Sequence, residues 1–92
     1  MNKRDLISAI DEELVVMDSY DDCIIGICER FGQDSIVAYD LEKILLKLEA
    51  KGMSRDEAEE FFYYNQIGAW VGDRTPCFIR FIQDEKWDVS QA

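Results

Sequence analysis

The sequence contains no histidine. The chain therefore lacks the side chain that enzymes most often use as a general base. Its three cysteines, Cys23, Cys28 and Cys77, are an odd set without C-x-x-C spacing, which excludes a disulfide framework. They also fall one ligand short of a four-coordinate zinc site unless a carboxylate helps. No cysteine has an activating partner in the sequence, so none reads as a nucleophile. Basic side chains number 10 against 20 acidic ones, a net charge of −10. Gripping a nucleic-acid backbone requires lysine and arginine to displace counterions, so direct nucleic-acid binding is not expected. An anionic membrane surface is excluded for the same reason. The sequence has no apolar run of membrane-spanning length and no signal peptide, which points to the reducing cytoplasm.

What is present makes one domain over residues 1–92, with 84–92 expected as a frayed tail holding Trp87 and Val89. Hydrophobic residues are 48% of the chain, enough for a core. A chain of this size buries roughly 60–65% of its unfolded surface, so its stability should be modest. The acidic balance is compatible with a basic protein partner, including a nucleic-acid-binding protein. It is equally compatible with a surface that is acidic only for solubility.

The chain is organised around Ser54 to Pro76, SRDEAEEFFYYNQIGAWVGDRTP. Ser54 and Glu57 form a capping box that opens a helix. Asp56, Glu57, Glu59 and Glu60 crowd its first turns, where the helix dipole favours negative charge. Ala58, Phe61, Phe62 and Asn65 share one face, expected as core. Asn65 is therefore predicted to be a buried structural amide. Glu60, Tyr63 and Ile67 lie opposite. That second apolar side is to be covered either by the N-terminal helix or by a partner. Gly68 can stop the helix, and Gly72 to Pro76, which includes the chain's only proline, reads as a loop. Gly68-x-x-x-Gly72 lacks the lysine and preceding strand of a phosphate-binding loop.

Elsewhere, residues 3–17 read as a helix with Leu6, Ile10, Leu14 and Met17 on its buried stripe, widened by Ile7. Asp18, Asp21 and Asp22 lack the spacing of a calcium loop and read as turn residues. Cys23 to Gly32 reads as a short helix, because Ile24, Ile27, Cys28 and Phe31 fall at helical spacing. Ser35–Tyr39 is a short strand. Asp40 caps a helix from Leu41 to Lys51, which Gly52 ends. Cys77–Ile82 is the final strand, and Ser35–Tyr39 is its expected mate. The two central helices are joined by a very short link, but the second is too acidic to enter a DNA groove.

Several of these features also recur together elsewhere. They are Tyr39-Asp40, Gly52-Met53-Ser54, the acidic helix ending in Tyr64-Asn65, Gly68-Ala69-Trp70-Val71-Gly72, and Thr75-Pro76. The combination, covering about half the chain, resembles a small family of tailed-bacteriophage and prophage proteins that has no established activity. The resemblance implies a phage origin and the host cytoplasm. Small acidic phage proteins are often host-directed inhibitors or accessory factors.

The expected fold is therefore α+β: three to four helices packed on a small antiparallel two-stranded sheet. The expected function is protein–protein interaction with a basic host or phage partner, a defence or nucleic-acid-processing factor, through Asp56, Glu59, Glu60 and Tyr63. The alternative is a ligand-binding or catalytic pocket near Asn65, Trp70, Asp73 and Arg74. No catalytic residue, metal or cofactor is expected, and a homo-oligomer stays open.

Overall fold

The computed structural model describes residues 2–65 and 72–82. The expectations for Ile67, Gly68, Trp70 and the tail from residue 84 lie outside the described residues. The element order is α1 (Lys3–Ile10), β1 (Ile24–Arg30), β2 (Gln33–Asp40), α2 (Leu41–Glu49), α3 (Arg55–Asn65) and β3 (Cys77–Ile79). A short 3-10 turn, Asp21–Cys23, precedes β1. The class is α+β. The three strands form one sheet in the order β1-β2-β3.

The expected helix 3–17 stops at Ile10. Asn2 caps its start, accepting the Asp5 N–H at 2.9 Å. At its end Asp11 turns extended, and its carboxylate accepts the Glu13 N–H at 2.9 Å. A short aspartate competes well for nearby backbone donors, so the helical period continues in the sequence while the backbone does not. Leu14 still reaches the core. Leu6 and Ile10, expected on the buried stripe, are 49% and 67% exposed, and Ile7 is buried in their place.

The segment read as a second helix is strand β1, a correction that also locates a third strand. β1 pairs antiparallel with β2 through Ile24↔Tyr39, Gly26↔Ala38, Ile27↔Val37 and Cys28↔Ile36, with irregularities near each end. Gly26 and the β-branched isoleucines disfavour helix, and β2 supplies the ladder that decides the matter. A two-residue turn, Phe31-Gly32, joins the strands. Gly32 takes φ +69°, which suits glycine.

β3 pairs with the expected mate, but parallel: Ala38↔Cys77, Tyr39↔Phe78 and Asp40↔Ile79. The sheet is therefore mixed and three-stranded, not antiparallel and two-stranded. α2 and α3 lie between β2 and β3, and a parallel neighbour requires a crossover connection of this kind.

α2 begins as expected, with the Asp40 carboxylate accepting the Lys43 N–H at 3.3 Å. Leu41, Ile44, Leu45 and Leu48 are all buried. Gly52, at φ +103°, turns the chain into α3. Val37 and Tyr39 of the central strand meet these helices, together with Phe62 and Ala58 of α3. Phe78 packs edge-on against Phe62, ring centroids 4.9 Å apart, and leans on Tyr39 at 5.9 Å. Ile36 and Ala38 are buried as well, so β2 is covered along both faces. Among the described residues, no helix is long and apolar enough to cross a membrane.

Candidate functional site

α3 is fixed before it displays anything. The Ser54 N–H donates to the Glu57 carboxylate at 2.9 Å, and the Ser54 hydroxyl accepts the Glu57 N–H at 3.2 Å. The capping box read from the sequence is therefore formed. These bonds to Ser54 hold the Glu57 carboxyl below its ordinary range, so it is ionised at neutral pH. Arg55 ties the first turn to α2, donating to both oxygens of Glu42 at 3.0 and 2.7 Å and to Glu49 at 3.2 Å. Ala58 and Phe62 then anchor the helix in the core.

Going round the helix from that anchored face, Glu59, Tyr63 and Asp56 come first, then Glu60, then Tyr64, Glu57 and Phe61. The structure thus places Asp56, Glu59, Glu60 and Tyr63 on one side, as the spacing predicts. Asp56 and Glu60 are exposed, while Glu59 is half-buried rather than fully solvated. The N-terminal helix does not bury Tyr63, which is 48% exposed. Its ring edge meets Phe62 at 5.3 Å, and its hydroxyl accepts a bond from Arg80 at 3.2 Å. This flank therefore carries a cation of its own.

The opposite flank was not legible as a site in the sequence. Phe61, expected in the core, is 38% exposed, and Tyr64 is 84% exposed. With Met53, Glu57, Glu60 and Asn65 they line a groove of about 350 Å³. The expectation that Asn65 is buried is overturned. It is exposed at the end of the helix, and its amide donates to the Phe61 carbonyl at 3.1 Å. The signal available in the sequence was an aromatic run too wide for one helix face.

The three described residues of the alternative pocket, Asn65, Asp73 and Arg74, are not gathered in one place. Asn65 belongs to the α3 groove. Asp73 lines a separate groove of about 520 Å³ with Arg30, Gly32, Gln33 and Asp34. Arg74 is engaged by Asp11 at 2.9 Å, Glu13 at 3.4 Å and Asp34 at 3.5 Å. Trp70 lies outside the described residues. The bond from the Glu13 N–H and the neighbouring Arg74 guanidinium hold the Asp11 carboxyl below its usual range. Burial pushes the Cys23 and Cys77 thiols up, so neither is a ready nucleophile at neutral pH.

The arrangement on α3 sets acidic side chains beside solvent-facing aromatic rings on a helix anchored in the core. No protein-family model, curated protein or solved structure matches the chain.

Proposed function

We propose that this chain is a binding module, without chemistry of its own, that docks a basic protein partner on α3. The observation that carries the reading is the exposure of Phe61, Tyr63 and Tyr64 beside Asp56, Glu57 and Glu60 on one anchored helix. Aromatic side chains supply burial at an interface, and the carboxylates steer the approach. The phage resemblance supports a host-directed role, in which binding blocks a defence or nucleic-acid-processing factor in the host cytoplasm.

The test is kinetic and uses the partner captured from host lysate. Asp56→Asn with Glu59→Gln and Glu60→Gln should slow association at low salt, because steering acts mainly on the on-rate. Tyr63→Ala should instead raise the dissociation rate through lost burial. An association rate unchanged by the triple substitution would reduce the acidic surface to a solubility device.

A further inference from the structure

The two flanks of α3 differ in one respect that decides what each can bind. Arg80 donates to the Tyr63 hydroxyl on the first flank, so a cation already stands there. Among the described residues, no lysine or arginine lines the groove on the second flank. Its walls are Met53, Phe61 and Tyr64, and its two charged groups, Glu57 and Glu60, are both acidic. Glu57 is committed to the helix cap. Glu60 makes no hydrogen bond or ion pair with any described residue.

A groove of this kind discriminates among side chains by elementary means. A purely apolar side chain would strip water from Glu60 and return nothing to it. An acidic one would be repelled. A long aliphatic stem with a cationic head meets both requirements, laying its methylenes on Met53 and Phe61 and its charge near Glu60. Between the two such residues, arginine fits better. Its planar guanidinium can stack on the exposed Tyr64 ring while pairing with the Glu60 carboxylate in a fork, and an ammonium can do only one of these at full strength.

From this we infer that the Met53–Phe61–Tyr64 groove is a receptor for an arginine side chain presented by the basic partner, with Glu60 as its counter-ion. The inference rests on the binding-module reading and adds the chemistry of the residue recognised.

The probe is tetra-arginine amide, titrated into the full chain labelled at its methionine methyl groups and tyrosine rings. Tetra-citrulline amide (similar in shape, but neutral) and tetra-lysine amide serve as comparisons. Tetra-arginine should move the Met53 methyl and Tyr64 ring signals. Tyr64→Ala and Glu60→Gln should each weaken its binding about two- to fivefold, the range expected for one exposed cation–π or ion-pair contact. Both side chains are solvent-facing, so the variants should fold. Glu12→Gln, an exposed acid outside the groove, should change binding little.

Equal binding of tetra-citrulline, or of tetra-lysine, would overturn the arginine assignment. So would a Met53 methyl that stays still while Tyr63 signals move, although the binding-module reading would then survive on the other flank. That reading itself falls only if the captured partner also ignores the triple substitution on α3.

Discussion

The Tyr39 hydroxyl accepts the Met17 N–H at 2.6 Å. This bond joins the central strand to the irregular chain that follows α1. Tyr39 is fully buried, and burial pushes its pKa up, so the ring stays neutral. Tyr39→Phe keeps the ring and removes the acceptor. We expect a loss of about 0.5–1.5 kcal/mol, the usual net contribution of such a bond. That corresponds to a melting temperature lower by about 4–8 °C per kcal/mol for a domain of this size. A melt that does not move would mean that residues 11–20 are held by the packing of Leu14 and Tyr20 and the ion pairs to Arg74 and Arg4, without help from this bond.

Two glycines make a paired prediction of opposite sign. Gly26 sits in β1 with no atom within 4 Å of where a Cβ would stand. Alanine there should stabilise the chain by roughly 0.5–1 kcal/mol by restricting the unfolded backbone. Gly32 has the same open space, but its φ of +69° strains any L side chain. Gly32→Ala should cost about 1–2 kcal/mol, and Gly32→Asn clearly less. Urea unfolding of the three variants checks this. If Gly26→Ala proved as harmful as Gly32→Ala, the strand placement of residues 24–30 would be wrong.

Local chemistry explains what the sequence could show. The Ser54–Glu57 box, the Asp40 cap and the left-handed Gly52 each depend on residues within a few positions, and all three are formed. β1 depended on something distant. Ile24, Ile27, Cys28 and Phe31 fit a helical period, and a short apolar run cannot reveal which period will be used. Only the pairing with Ile36–Tyr39 settles it. The direction of β3 was hidden for the same reason, since adjacency in a sheet does not encode orientation. On α3, helical spacing alone puts Asp56, Glu59, Glu60 and Tyr63 on one side of the helix. It could not show that Phe61 and Tyr64 stay open to solvent, because that depends on what fails to cover them.

Asn65 supplies a prediction that follows from its corrected place. Its side chain is exposed and, among the described residues, bonds to the Phe61 carbonyl one turn back. Asn65→Leu should therefore change stability by no more than about 0.5 kcal/mol. A much larger loss, seen in a thermal melt, would restore the buried amide that helical spacing suggests.

The Arg74 cluster should be visible in the pH dependence of stability. The Asp11 carboxyl lies below its ordinary value in the folded chain. A depressed carboxyl contributes fully above the unfolded range and loses that contribution as pH falls through the folded value. Arg74→Gln should thus lower the melting temperature at pH 7. The gap to the parent chain should narrow from about pH 4 downward, where aspartate takes up its proton. The bond from Arg74 to the Ser35 carbonyl does not titrate, so some gap should persist. A gap independent of pH would show that the carboxylates add nothing to the clamp.

Salt should act on the fold and on binding in opposite directions. The chain carries a net charge of −10. Among the described residues its ion pairs use Arg4, Lys47, Arg55 and Arg74, with contacts of 2.7 to 3.5 Å. Such separations lie well inside the screening length of about 8 Å at physiological ionic strength, so the pairs largely persist. Exposed pairs contribute only about 0–1 kcal/mol each in any case. Repulsion among the unanswered carboxylates acts over longer distances and is screened first. Raising sodium chloride from about 0.02 M to about 0.15 M should therefore raise the melting temperature. The same change should slow association with a basic partner, whose approach depends on that long-range field. Measured on one preparation, the two responses separate the causes. A binding rate that falls while the fold grows more stable is lost steering. If salt instead lowered the melting temperature, the ion pairs would outweigh the net charge, and slower binding could no longer be assigned to the acidic face of α3.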